Sequence, residues 1–186
     1  MNIFEISSEC SGLAQRGGLG GVVWGISDAF RQSGHKVTLV MPYYEEIREE
    51  VKSYLTLKVP YGGEISTVSV FASEHEGIRI LLIHSDRFFR GEYSDVYIDS
   101  GRLQRGFFED DAKRFAFFSV AAAWLLLRLS RKEKIDTIHC HDWHSGLLLM
   151  LINVHPDLAE LRKYFRLFSV HNLEYQGTRP FEAMGN

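Results

Sequence analysis

Polar side chains that could do chemistry are concentrated in two short stretches of the sequence. The first, HCHDWHSG, holds His139, His141, Asp142 and His144. Imidazole and carboxylate groups can bind a metal ion or hydrogen-bond a polar ligand. The second, SVHNLEYQG, offers side chains that suit hydrogen bonding to the hydroxyls of a sugar, namely His171, Asn172, Glu174, Tyr175 and Gln176. The alternative for this second stretch is an ordinary strand-to-loop transition, where Asn and Gly are common.

The first stretch permits a metal hypothesis. It resembles the H-x-H-x-D-H pattern of binuclear zinc hydrolases, but Asp142 stands at the fourth position of the pattern and not at the fifth. In a strand, His139 and His141 point to the same face, which in a parallel sheet lies under a helix. The alternative is that His139 is packed there and that only residues from His141 onward reach a ligand. We expect no metal and keep a zinc hydrolase, with His139, His141 and His144 converging, as a weaker alternative.

A third stretch, GLAQRGGLGGVVWG, packs four glycines into five positions, Gly17 to Gly21. Glycine is used where side chains would obstruct a close approach. The spacing differs from the dinucleotide fingerprint G-x-G-x-x-G, and no GK[ST] of a P-loop follows. Exposed N–H groups at the start of a helix could face a phosphate. A tight packing joint between loop and helix is the alternative.

The elements that must position these groups alternate between strands and helices. The pattern predicts strands over 2–8, 35–42, 135–142 and 166–172, and helices over 22–34, 109–134 and 144–155. Residues 53–85 predict three strands joined by two hairpin turns, at Gly62-Gly63 and Glu76-Gly77. Residues 115–127 are apolar except for Ser119, so the helix over 109–131 should be buried nearly all round.

This alternation predicts an α/β fold, a Rossmann-like, doubly wound, mainly parallel sheet with helices on both faces. The region 53–85 is the expected antiparallel exception. Ligands of such sheets bind at the carboxyl ends of the strands. We therefore expect Asp142, His171 and the glycine loop to line one crevice.

Composition narrows the class of protein. Hydrophobic residues make up 45% of the 186 residues and charged residues 24%, with a net charge of −3. These values fit one globular domain and give no reason to expect nucleic acid or a membrane as partner. Two cysteines do not form a disulfide framework, and no signal peptide is visible, so we expect a cytoplasmic protein.

Taken together, the motifs resemble those of bacterial glycogen synthases and plant starch synthases. SSEC…RGGLGGVVWG is similar to the opening strand, K-x-G-G-L loop and first helix of that family. IDTIHCHDWHSGLLLMLI resembles its H-D-W-H strand end and following helix, and RLFSVHNLEYQG its H-N-L-A-Y-Q-G segment. EDDAKRFAFFSVAA is similar to its buried helix. The resemblance covers nearly the whole chain.

The resemblance implies a GT-B glycosyltransferase, in which two Rossmann-like domains face a cleft. Such enzymes transfer glucose from ADP-glucose, or UDP-glucose in some relatives, to an α-1,4-glucan without a metal or other cofactor. Residues 1–186 match the N-terminal, acceptor-side domain, and the donor-side domain has no counterpart in this sequence. We therefore expect this chain to need a donor-side domain, on the same or another polypeptide, and to transfer no glucose alone.

The resemblance also implies roles for individual residues. His171 matches a histidine that hydrogen-bonds the transferred glucose, and Asp142 matches the cleft aspartate of H-D-W-H. Gly17, Gly18 and Leu19 match the loop that faces the donor's phosphates. Further substrate-binding positions are Asn172, Tyr175, Gln176 and, by a looser match, Tyr93 near the acceptor.

Two positions depart from the family pattern. Gln15 stands where the family has Lys, with Arg16 beside it, and Gly21 stands where an acidic residue usually follows. Arg16 could supply the missing positive charge from a different direction. A non-catalytic glucan-binding or regulatory relative is therefore the alternative function.

Overall fold

Within residues 1–98 and 109–178, which the computed structural model describes, seven strands form one mixed sheet. The strands are β1 (Asn2–Ile6), β2 (Lys36–Pro42), β3 (Lys52–Tyr61), β4 (Glu64–His75), β5 (Ile78–His84), β6 (Thr137–His141) and β7 (Phe165–Ser169). The helices are α1 (Gly18–Gln32), α2 (Glu109–Ser130) and α3 (Asp142–Val154), with 3-10 segments at Gly91–Tyr93 and Pro156–Lys163. The predicted α/β class is confirmed.

The sheet has the order β3-β4-β5-β2-β1-β6-β7. The five strands β5-β2-β1-β6-β7, in this spatial order, pair in parallel with their neighbours. Strand β4 pairs antiparallel with both β3 and β5, as expected for the region 53–85. The chain moves in opposite directions from β1 to β2 and from β6 to β7. Right-handed crossovers therefore place α1 and α3 on opposite faces, which makes the sheet doubly wound.

Helix α2 is buried nearly all round, as its apolar run predicts. Phe117, Phe118, Leu125 and Leu126 are fully buried, and the helix packs on α3 as well as on the sheet. Because its apolar residues surround the helix axis, α2 is covered both by the sheet and by α3.

A buried arginine of α2 holds residues 88–95, which follow β5, in place. The Arg114 guanidinium donates to the carbonyls of Phe88, Tyr93 and Asp95 at 2.6–2.9 Å, and its Nη1 lies 2.6 Å from Asp111 Oδ1. Arg114 is 1% exposed. The same donor fork therefore satisfies several carbonyls of one loop that would otherwise be buried without partners.

Two element boundaries differ from those predicted and bear on the site. Helix α1 begins at Gly18 and not at residue 22, so the glycines form its first turn. Helix α3 begins at Asp142 and not at residue 144. Gly17 is extended, with φ −127° and ψ −166°, which makes it the residue that caps the amino end of α1. The apolar pattern used for the prediction cannot detect a first turn made of glycines.

Candidate active site

The carboxyl ends of three adjacent parallel strands carry the candidate groups. Strand β1 leads into the glycine loop, β6 ends at His141 before Asp142, and β7 ends two residues before His171. Since β1, β6 and β7 are neighbours in the sheet, these ends lie side by side at one edge. The sequence alone could place the residues at strand ends, and the strand order makes the three strands adjacent.

Asp142 and His171 are joined directly. Asp142 Oδ1 accepts a hydrogen bond of 2.7 Å from the backbone N–H of His171. Asp142 is buried and has a positive φ of 55°, which is rare for a residue other than glycine. Such backbone strain is maintained only where the surroundings hold it, and it is common at functional sites. The carboxylate of Asp142 therefore fixes the backbone at the end of β7.

The His171 ring is held by a second histidine. His171 Nε2 lies 2.9 Å from His141 Nδ1, and the two rings are stacked with an interplanar angle of 17°. His141 Nε2 lies 2.5 Å from Glu5 Oε2. The row from Glu5 through His141 to His171 thus runs from the carboxyl-terminal half of β1 across the end of β6 to the segment after β7. His141 is fully buried, so it supports His171 and does not itself reach a ligand, contrary to the expectation that residues from His141 onward would.

The glycine loop presents an amino end of α1 that lacks a side-chain cap. A Cβ placed on Gly18 would meet no atom within 4 Å, so the space in front of it is open. Glu9 accepts from the backbone N–H groups of Arg16 and Gly17 at 2.7 and 2.9 Å. N–H groups of the following turn point out of a helix end that attracts anions. Leu19 is buried, so of the matched GGL triplet only the two glycines face outward.

Gln15 and Arg16 are both engaged within the protein. Gln15 Nε2 donates to the Gly17 carbonyl at 2.7 Å, and its side chain lies over Gly20, where a Cβ would come within 2.8 Å of Gln15 Cγ. Arg16 donates to Glu46 and Asp95, each at 2.7 Å, and these bonds raise the pKa of its guanidinium. The open depression beside Arg16 is lined by Glu45, Glu46 and Asp95, with Arg48 and Ser94. Arg16 is therefore paired with two carboxylates, which weakens its attraction for an anion.

The segment after β7 folds on itself and on α3. Asn172 Oδ1 accepts from the backbone N–H groups of Glu174 and Tyr175, and Gln176 Nε2 donates to the Asn172 carbonyl. Gly177, with φ +65°, lies so close to Trp143 that a Cβ would come within 2.4 Å of its ring. Tyr175 is 55% exposed and Tyr93 is 37% exposed. The Asn172 and Gln176 side chains thus shape the segment, whereas the two tyrosines keep exposed surface.

The zinc hypothesis needed His139, His141 and His144 to converge, and the structure brings together a different set. Among the described residues, the three groups close enough to share an ion are Glu5, His139 and His141, all buried. His144 instead packs on Phe115 and Trp143, and burial lowers its pKa to about 3. The three-histidine arrangement is therefore wrong, and the pattern is explained by two histidines turned toward a buried carboxylate.

Sequence reasoning missed Glu5 and assigned no role to Glu9. Glu5 stands among apolar residues in the strand NIFEI and is fully buried. A carboxylate within a predicted buried strand is a sequence signal for a partner, because carboxylates are rarely buried unpaired. Burial raises the pKa of Glu5, but the hydrogen bonds to His139 and His141 outweigh it and lower the pKa overall. Glu9 also accepts from the Tyr97 hydroxyl, whose pKa is raised by burial and by the Glu9 charge.

Comparisons with known proteins show which family the chain resembles. The family model described as starch synthase catalytic domain matches residues 2–186. A glycogen synthase of Exiguobacterium sibiricum is 29% identical over all of this chain and 38% of its own length, and probable glycogen synthase 2 of Synechocystis is 35% identical over 95% and 35%. The chain thus spans well under half the length of these relatives.

Solved structures give the same picture. The catalytic domain of starch synthase IV from Arabidopsis thaliana, bound to ADP and acarbose, superposes with a TM-score of 0.83 at 29% identity, over 99% of this chain and 36% of that one. A sucrose-phosphate synthase from Thermosynechococcus elongatus, 16% identical with a TM-score of 0.51 over 100% of this chain and 37% of that one, shares the fold. In the part of the chain that the structure describes, no helix combines the length and apolarity needed to cross a membrane.

Proposed function

The chain belongs to the starch synthase catalytic domain family, and from this premise we propose that it is the acceptor-side part of a glycosyltransferase. The protein would transfer glucose from a nucleotide-sugar donor, ADP-glucose, to an α-1,4-glucan. Three adjacent parallel strands carry the proposal, because the glycine loop follows β1, Asp142 follows β6 and His171 follows β7. Asp142 and His171 are hydrogen-bonded to each other, and the amino end of α1 has no side-chain cap. A helix end suits the donor's phosphates, and the imidazole and carboxylate suit sugar hydroxyls.

In the proposed chemistry the amino end of α1 stabilises the negative charge of the diphosphate, and Asp142 and His171 orient the sugar. Negative charge develops on the departing diphosphate during transfer, and preorganised N–H groups stabilise such charge. Gly18 leaves open space for the phosphates, and the Asp142 carboxylate holds His171 in place. No metal or other cofactor takes part in this proposal. Both cysteines are buried free thiols, in keeping with the cytoplasmic location that we propose.

A transfer assay tests this function. We expect radiolabelled ADP-glucose with glycogen as primer to give no product with the 186-residue chain alone, and product when a donor-side domain from a relative is added. Gly18→Val should abolish that product because its side chain would occupy the phosphate approach, whereas Gly25→Val, also exposed on α1 with open space around it, should not. Robust turnover by the chain alone, or equal activity of both variants with the domain, would contradict the proposal.

A non-catalytic glucan-binding relative is the second candidate. It is favoured by Gln15 at the lysine position and by the two carboxylates that neutralise Arg16, since both weaken the attraction for a diphosphate. This candidate predicts maltotetraose binding without transfer, even with the donor-side domain present. Isothermal titration with maltotetraose, next to the transfer assay, separates the two functions.

A further inference from the structure

The buried carboxylate of Glu5 is connected to His171 through His141. Glu5 pairs with His139 in the register of β1 and β6, and its Oε2 lies 2.9 Å from His139 Nδ1 and 2.5 Å from His141 Nε2. Glu5 Oε1 has no hydrogen-bond partner among the described residues. The outer nitrogens of the two imidazoles are also engaged, His139 Nε2 by Ser169 Oγ and His141 Nδ1 by His171 Nε2.

The protons of this row can be placed from the donor and acceptor capacity of each group. An ionised carboxylate only accepts, so His141 must carry its proton on Nε2, toward Glu5. Burial lowers the pKa of His141, which keeps the ring neutral near pH 7. Its Nδ1 is then a bare acceptor, and the 2.9 Å contact requires His171 to donate from Nε2. A neutral His171 is left with a bare Nδ1.

We propose that Glu5 is a positioning residue that, acting through His141, fixes His171 in its Nε2–H tautomer and so makes His171 Nδ1 a hydrogen-bond acceptor for a substrate hydroxyl. The substrate part of this inference rests on the proposed function, whereas the tautomer part does not. Carboxylates and carbonyls behind a histidine commonly set which ring nitrogen carries the proton. Here the effect passes through one additional imidazole.

A metal ion in the same cluster would require the opposite tautomer. An ion bound to His141 Nε2 would leave the proton on His141 Nδ1, which would then donate to His171 Nε2 and place the His171 proton on Nδ1. Ligands around a tetrahedral zinc at 2.0–2.1 Å lie about 3.3 Å from one another. Glu5 Oε2 lies at 2.5 Å from His141 Nε2, which is a hydrogen-bond distance, and at 2.9 Å from His139 Nδ1, which is also shorter than the spacing of zinc ligands. The geometry therefore favours the hydrogen-bonded row.

The test is long-range ¹H–¹⁵N correlation NMR of the histidine rings in the ¹⁵N-labelled chain, which shows which ring nitrogen carries hydrogen. His171 signals are assigned with His171→Gln. In the wild type we expect hydrogen on Nε2 and a bare Nδ1 for His171. Hydrogen on His171 Nδ1, or stoichiometric zinc in the purified chain by mass spectrometry, would overturn the proposal. The tautomer is measured on the wild type, and the variant serves only to assign the signals.

The variant Glu5→Gln tests the relay more directly, because it keeps the shape of the side chain and changes only its hydrogen-bonding groups. The Gln amide has two donors, and when its NH₂ takes the Oε2 position it replaces the acceptor that faces His141 by a donor. It then donates to His141 Nε2, His141 donates from Nδ1, and His171 should switch to Nδ1–H. Ser169→Ala, which removes a partner of His139 only, is the matched control and should leave His171 unchanged. His171 still protonated on Nε2 in a folded Glu5→Gln whose His141 carries hydrogen on Nδ1 would refute the relay.

Titration with ADP-glucose separates this inference from the proposed function. We expect Glu5→Gln to weaken ADP-glucose binding about 3- to 10-fold, the effect of losing one hydrogen bond, and Ser169→Ala to leave it unchanged. A tautomer switch without any ADP-glucose binding to the wild type would uphold the relay and contradict the function. Wild-type binding that Glu5→Gln leaves intact despite the switch would overturn the acceptor role of His171 Nδ1.

Discussion

Replacing Arg114 by Met should destabilise the protein far more than replacing Arg16 by Met. Arg114 is 1% exposed and its side chain donates to three loop carbonyls and to the buried Asp111 carboxylate at 2.6–2.9 Å. Its loss leaves these acceptors without their donor, and removing one partner of a buried ion pair costs about 3–5 kcal/mol. The Arg16 side chain is 40% exposed in its pair with Glu46, and such pairs contribute about 0–1 kcal/mol.

The assay is urea unfolding of the wild type and both variants, followed by circular dichroism. A domain with a free energy of unfolding of about 5–15 kcal/mol should lose a large share of it in Arg114→Met. The double variant Asp111→Leu/Arg114→Met should recover part of that loss, because no buried carboxylate is left without its cation. Equal destabilisation by Arg114→Met and Arg16→Met would refute the view that burial of the carbonyls and of Asp111 sets the cost.

Three further predictions concern the site. Gly177→Ala should displace the segment after β7 from Trp143, because its Cβ would come within 2.4 Å of the ring at a φ of +65°. The Trp fluorescence spectrum should change and proteolysis of the segment should be faster, whereas Gly25→Ala, in open space, should change neither. Stability should fall as the pH drops from about 6.5 toward 3, by about 1.4 kcal/mol per pH unit, because the unfolded chain protonates His144 whereas its folded pKa is about 3; in His144→Phe the urea midpoint should depend less on pH. Gln15→Lys should tighten pyrophosphate binding about 2- to 5-fold by placing a cation at the amino end of α1, whereas Gln32→Lys at its other end should not.

The fold could be predicted because its signals are local. The sequence pattern predicts each of the seven strands found in residues 1–98 and 109–178. The turns Gly62-Gly63 and Glu76-Gly77 mark the antiparallel exception, since a positive φ at such positions favours glycine. The parallel pairing of the other strands follows from the alternation of strands and helices along the chain. The amino ends of α1 and α3 were misplaced because glycines and an aspartate with positive φ carry no apolar pattern.

The candidate site could be predicted only in part, because much of it depends on partners distant in sequence. His171 and Asp142 were identified from their motifs, but Glu5 is 136 residues from His141 and meets it only through strand pairing. The neutralisation of Arg16 by Asp95 likewise depends on a loop that Arg114 fixes. Local sequence does not show which charged side chains distant in the chain will contact each other in the fold.

The central claim is that the helix end at Gly18 and the residues Asp142 and His171 form one site for a nucleotide sugar. Amide chemical-shift mapping of the ¹⁵N-labelled chain with millimolar ADP-glucose tests it most directly. We expect the backbone amides of Gly18, Asp142 and His171 to shift together with one dissociation constant, and these shifts to vanish in Gly18→Val but persist in Gly25→Val. Shifts confined to another surface, or no shifts with ADP-glucose while the chain is folded, would contradict the claim.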